Sequence, residues 1–162
     1  MRFIAADGQP FAMPTLGWYI GGQAAGRQSC ICLVMMLATP TYEVTTEVTF
    51  DSAHFLHDYP GKCARLHGHT YRLQATAGGQ RLSREGILLD LASFKTLCQQ
   101  AVADFDHQPL NEVPPFDELN PTAENLAAHF FRALRPLIEE KGLKLVKVTV
   151  WESPTSGASY SE

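Results

Sequence analysis

The first sustained alternation of apolar and polar positions falls in "TYEVTTEVTF". Tyr42, Val44, Thr46, Val48 and Phe50 alternate there with Glu43, Thr45, Glu47 and Thr49. A period of two belongs to a strand with one face against a core. A second strand is predicted through "HGHTYRLQATAGG", ending at the Gly78–Gly79 turn, and "GILLD" (86–90) is a candidate hairpin partner. The period then lengthens to that of a helix in "DLASFKTLCQQAVADF", where Leu91, Phe94, Cys98, Ala101, Val102 and Phe105 share one apolar face. After a proline-rich loop, a second helix is expected with Thr122 as N-cap and Glu124 in the first turn, where the helix dipole favours an anion. Its predicted buried stripe is Leu126, Ala127, Phe130, Phe131, Leu134 and Leu137, and "LKLVKVTVWES" reads as the last strand. This order predicts an α+β domain: an antiparallel sheet with helices on one face.

Residues 1–40 lack both periods and are rich in Gly, Pro and Ala, so they are expected to form an unpacked extension ahead of a single domain at 41–162. Met35 and Met36, just before the patterned sequence, are the candidates for the true start of translation, an expectation that the intact mass of the native protein tests. At 162 residues and 45% apolar, the chain can bury a core without disulfides. A net charge of -4 provides no basic footprint for nucleic acid, so an anionic substrate has to be met by local cations. No window is long and apolar enough to span a membrane. Four cysteines without framework spacing, apart from the Cys30–Cys32 pair, point to a reducing, cytoplasmic setting.

The chemistry concentrates in "CARLHGHT". His67 and His69, two apart on a predicted strand, project from the same face, as two ligands of one metal require. His54, at the end of the first strand, is the candidate third ligand, and His57 competes for that place from the following loop. Three imidazoles suit Zn2+ and leave the fourth tetrahedral position open, as in catalytic zinc sites. Cys63 is either a fourth ligand, closing a structural site, or a thiol kept free for chemistry. Lys62 and Arg65 flank it, and neighbouring cations favour the thiolate. Asp106–His107 pairs a carboxylate with an imidazole, the makings of an acid–base group. Glu152, beside Trp151 at a strand end, is placed to recognise a heterocycle with adjacent N–H donors, or else to be solvated. Cys98 sits on an apolar helix face and His129 beside another, both more simply structural.

The blocks "FDSAH", "CARLHGH", "LLDLASFK", "DHQPLN", "NPTAENLA" and "VTVWESPTSGASY" together resemble the 6-pyruvoyl-tetrahydropterin and 6-carboxytetrahydropterin synthase family, in order from Tyr42 to Tyr160. The three residues between Cys63 and His67 are similar to the bacterial carboxy-forming branch of queuosine biosynthesis; the pyruvoyl-forming animal enzymes carry a longer insertion there. The resemblance implies a tunnelling fold, a four-stranded antiparallel sheet with two helices that assembles into a barrel-like homo-oligomer, often a hexamer. It also implies zinc at His54, His67 and His69, proton abstraction by Cys63, a relay through Asp106 and His107, and a pterin ring anchored by Glu152. The implied reaction converts 7,8-dihydroneopterin triphosphate to 6-carboxy-5,6,7,8-tetrahydropterin, acetaldehyde and triphosphate. Lys62 and Arg65 are candidates for holding the triphosphate. Two other readings stay open: a pyruvoyl-type synthase that keeps the side chain, and a zinc-stabilised binding module without catalysis.

Overall fold

The computed structural model describes residues 41–162. The expected extension, its alternative starts and the Cys30–Cys32 pair lie outside the described residues. Two long strands, β1 (Tyr42–His54) and β2 (His67–Gly79), pair antiparallel along their whole length, from Tyr42 opposite Gly79 to His54 opposite His67. Helix α1 (Leu91–Val102) and the two-residue strand β3 (Gln108–Pro109) follow, then helix α2 (Ala123–Glu139), β4 (Lys144–Ser153) and β5 (Ser156–Tyr160). The sheet order is β3-β1-β2-β4-β5. Its four longer strands are antiparallel, and β3 adds a short parallel pairing to Ser52 and Ala53 of β1.

The fourth long strand is not the one expected. "GILLD" forms a turn, closed by the Ile87 carbonyl accepting from Ser83 N–H at 2.8 Å. Leu88 packs instead against Gly79, at the end of β2, so these leucines plug the sheet rather than extend it. The strand that pairs with β4 is β5, whose "SGASY" has little apolar signal. Gly157 is required there: a Cβ would stand 2.7 Å from the Val150 carbonyl oxygen and 2.9 Å from the Trp151 ring.

Both helices cover one sheet face. Each begins on a side-chain cap, Asp90 accepting from Ser93 N–H and Thr122 from Asn125 N–H, which satisfies amides the helix itself leaves unpaired. Phe94, Cys98 and Val102 of α1 are buried, whereas Leu91, in the first turn, is exposed. In α2, Ile138 takes the buried place expected for Leu137, which is exposed on the neighbouring side of the helix. Phe50 joins the layers, stacking on Tyr71 across the ladder and meeting Phe130 of α2 edge-on at 5.7 Å. The opposite sheet face is polar, with Thr45 bonded to Thr76 and Thr149 to Ser159 across strands.

The outer edge of β1 is covered beyond the reach of β3. Asp51 N–H donates to the Asp106 carboxylate, and its carbonyl accepts from His107 N–H. Further along, Phe55 and His57 each pair their main-chain N–H and C=O with a side-chain amide, of Asn111 and Asn120 respectively. Alternate residues of an extended chain present both groups on the same edge. Segment 106–120 satisfies them from Asp51 to His57, while the rest of that edge, Tyr42–Phe50, pairs with no strand among the described residues.

Candidate active site

Burial along the inward face of β1 increases toward its end, from the exposed Tyr42 to Val48, Phe50, Ser52 and His54, the last only 2% exposed. The register sets His54 opposite His67 and Ser52 opposite His69. With His67 and His69 on the same face, one ladder brings the three imidazoles together. A nitrogen from each lies within 4.8 Å of the others.

The protonation pattern follows from the hydrogen bonds. His54 Nδ1 lies 2.8 Å from the Pro121 carbonyl, and His67 Nδ1 lies 2.8 Å from that of Arg65. A carbonyl only accepts, so each Nδ1 carries the proton and each Nε2 presents a lone pair. Those two Nε2 atoms face each other at 3.1 Å, where neutral rings have no proton to share. Two nitrogen ligands of a tetrahedral ion with bonds of ~2.0–2.1 Å stand roughly 3.3 Å apart. The pair has the spacing and tautomers of metal ligands, and carbonyl partners of this kind orient ligating histidines in metalloproteins generally. Burial and the two neighbouring imidazoles push His54 down to about 4, which keeps it in the ligating form. Beneath the cluster lies Tyr71, fully buried, its ring edge-on to His54 and His69. Its hydroxyl has no partner among the described residues. Burial, with Glu152 and Cys63 nearby, drives that phenol well above its ordinary range.

Cys63 sits on a single 3-10 turn, Lys62–Ala64, in the loop joining β1 to β2. It is half-buried, and its sulfur is not among the clustered donor atoms. It lines a cavity of about 410 Å³ together with His54, Tyr59, Glu124 and Glu152. Lys62 and Arg65 are both exposed beside it, and Arg65 enters the site through its carbonyl. His57 stays outside the cluster, its exposed ring edge-on to Phe55. His129 packs among Phe105, Phe116 and Phe130, and burial lowers its pKa.

Asp106 and His107 pair at 2.9 Å through Oδ1 and Nδ1. The same carboxylate oxygen accepts Asp51 N–H, which, followed by the His107 contact, holds Asp106 below the usual carboxylate range. His107 has a left-handed backbone (φ 57°), held by the bond from its N–H to the Asp51 carbonyl at 2.6 Å. Its side chain is 75% exposed and lines a second cavity, of about 520 Å³, with His69 and Asp51. Within one chain, therefore, Cys63 and His107 open onto different cavities.

Sequence reasoning gave Glu124 only the role of complementing the helix dipole, yet it lines the Cys63 cavity as a second carboxylate. The proximity of a helix start to a strand-end loop has no local signature. The Pro121 and Arg65 carbonyls were equally invisible, since main-chain acceptors leave no trace in residue type.

Residues 43–162 match the family model for 6-pyruvoyl tetrahydropterin synthase. The 6-carboxy-5,6,7,8-tetrahydropterin synthase of Aquifex aeolicus is 34% identical over 134 residues, 68% of this chain and 83% of that protein. The protein of the same name from Synechocystis is 36% identical over 120 residues, 70% of this chain and 88% of that one. Among solved structures, the 6-pyruvoyl tetrahydropterin synthase of Caenorhabditis elegans superposes with a TM-score of 0.68 at 27% identity, covering 76% of this chain and 97% of the other.

Proposed function

The chain belongs to the 6-pyruvoyl tetrahydropterin synthase family, and from that premise we propose that it is a zinc-dependent lyase of its carboxy-forming branch. Its substrate is 7,8-dihydroneopterin triphosphate. With uptake of water, the products are 6-carboxy-5,6,7,8-tetrahydropterin, acetaldehyde and triphosphate, the first feeding queuosine synthesis in the cytoplasm. The carboxy-forming reading is supported by the names of the relatives at 34% and 36% identity.

The observation that carries the metal assignment is the pair of facing Nε2 lone pairs, 3.1 Å apart, with both Nδ1 protons committed to carbonyls. His54, His67 and His69 would hold the ion. Zinc bound there supplies a Lewis acid that makes a C–H beside a substrate hydroxyl more acidic. Cys63, as thiolate, removes that proton from the substrate side chain. Lys62 and Arg65, both exposed at the loop, meet the triphosphate there. Glu152 accepts two N–H bonds from the amino group and ring nitrogen of the pterin, which fixes the ring against the thiol. Glu124 offers the same chemistry across the cavity.

His107 takes up and returns protons at Nε2, its Nδ1 held by Asp106. Since Cys63 and His107 line separate cavities in one protomer, their relay runs between neighbouring copies. This accords with a homo-oligomer, a hexamer being favoured. The test is to incubate the purified protein with dihydroneopterin triphosphate and identify the products by mass. Release of acetaldehyde with a 6-carboxy pterin is expected. A pterin that retains its three-carbon side chain would assign the pyruvoyl-forming reaction instead, and no turnover by zinc-loaded protein would sink the enzymatic reading.

A further inference from the structure

Two asparagines in the blocks that carry the family resemblance have no role in the reaction described above: Asn111 of "DHQPLN" and Asn120 of "NPTAENLA". Each makes a reciprocal pair of hydrogen bonds with the main chain just past β1. Asn111 Oδ1 accepts Phe55 N–H at 2.9 Å, and its Nδ2 donates to the Phe55 carbonyl at 3.0 Å. Asn120 Oδ1 accepts His57 N–H at 2.7 Å, and its Nδ2 donates to the His57 carbonyl at 3.1 Å. Such a pairing accepts only one orientation of the amide, because the oxygen must meet the N–H and the nitrogen the carbonyl. The two side chains therefore act as a substitute strand where β3 has ended.

The residue between the two anchored positions points the other way. Leu56 N–H donates to the Cys63 carbonyl at 2.8 Å. The course from the asparagines to the thiol is thus short: Asn111 and Asn120 hold Phe55 and His57, and Leu56 holds Cys63. The other main-chain bonds within this loop are local to the 3-10 turn, Ala64 to Gly61 and Arg65 to Lys62. Asn120 also adjoins Pro121, whose carbonyl orients His54. Two consecutive residues thus hold both parts of the site: one fixes the loop bearing the thiol and the other a ring of the histidine cluster. We propose that Asn120 is a positioning residue for Cys63, supported by Asn111, which sets the place of the thiol relative to the three imidazoles. The inference rests on the proposed role of Cys63, but the latch can be tested without turnover.

The test compares zinc-loaded native protein with Asn120→Ala, Asn120→Asp, Asn111→Ala and a control, Asn125→Ala. Asp keeps the acceptor for His57 N–H but sets a carboxylate oxygen against the His57 carbonyl. Asn125 donates to the main-chain carbonyl of Asn120 from outside the paired amides and is bonded to neither Phe55 nor His57. The first readout is the rate at which iodoacetamide alkylates Cys63 in substrate-free protein, resolved by peptide mass spectrometry, alongside zinc content. Both Asn120 variants are expected to keep one zinc per chain and to change the Cys63 rate several-fold, Asn111→Ala less so, and Asn125→Ala not at all. With substrate, kcat should fall by about 10²-fold, the cost of roughly 1 Å of misplacement, with KM little changed.

Native Cys63 reactivity in Asn120→Ala would overturn the proposal, as would an equal change in Asn125→Ala. If Asn120→Ala does not fold, Asn120→Asp is read in the same way. If neither folds, Asn120 is a determinant of the fold and the positioning role fails. Altered thiol reactivity in a native protein that turns nothing over would keep the latch and discard the reaction; turnover with unaltered reactivity would do the reverse.

Discussion

His54 and His107 stand at opposite ends of one design choice. Both hold an Nδ1 proton against an oxygen, and both sit on or beside β1. His54 is buried, and its oxygen is a main-chain carbonyl that cannot itself carry charge. Burial penalises the imidazolium, and the ring is pushed down to about 4. His107 is open to solvent, and its oxygen belongs to a carboxylate that is itself held by the Asp51 amide. The first environment keeps a lone pair permanently available, which suits a metal ligand. The second leaves the ring open to solvent with a carboxylate at Nδ1, which suits the proton-transfer role proposed for it. Residue type is the same in both places, and the partner oxygen and burial decide the use.

The largest loss is expected at the buried end. His67→Ala removes one of the two facing lone pairs, so zinc measured by elemental analysis should fall from one per chain to near zero, and turnover with it. Stoichiometric zinc in that variant would show that the ligand set is wrong. Cys63→Ala should be as inactive in product yield, a loss of roughly 10²–10⁴-fold for a missing acid–base group, yet keep its zinc and its melting temperature. Loss of the metal instead would make the sulfur a ligand and favour the non-catalytic zinc module.

The exposed end is sharpened by mixing subunits. Cys63→Ala and His107→Ala proteins should each be nearly dead, whereas hybrids formed by joint refolding should regain a substantial fraction of native activity. Every protomer in such a hybrid lacks one of the two groups, so a relay confined to one protomer would leave the hybrids inactive. The smallest effect separates the carboxylates of the Cys63 cavity. Glu152→Gln should weaken binding of a pterin ligand by about tenfold, the scale of one charge-assisted hydrogen bond, without altering zinc content. Glu124→Gln measured alongside decides which carboxylate meets the ring: a change confined to Glu124 would transfer the anchor to the helix.

Much of the architecture is legible in periodicity. Tyr42 to Phe50 alternates because one side of β1 meets the helices and the other does not, and Phe94, Cys98 and Val102 recur at helical spacing for the same reason. Leu91 and Leu137 share that spacing but are exposed, since periodicity identifies a face and not how far the neighbouring layer reaches over it. "GILLD" has the composition of a strand and is a turn. "SGASY" lacks that composition and is a strand, because the bare backbone at Gly157 fits against Trp151. Hydrogen bonding to β4, not side-chain pattern, made it one.

By itself the amino-acid order determined the His-x-His spacing, and with it that His67 and His69 leave the same side of an extended chain. It also placed Cys63 on a short loop and Asp106 next to His107. Only the folded chain decided that His54 stands opposite His67, that the Pro121 and Arg65 carbonyls take the Nδ1 protons, and that Cys63 and His107 face different cavities. The physical reason is range. Spacing governs atoms a few residues apart through fixed backbone geometry, whereas tautomer, burial and shared cavities depend on groups that meet only when distant segments pack.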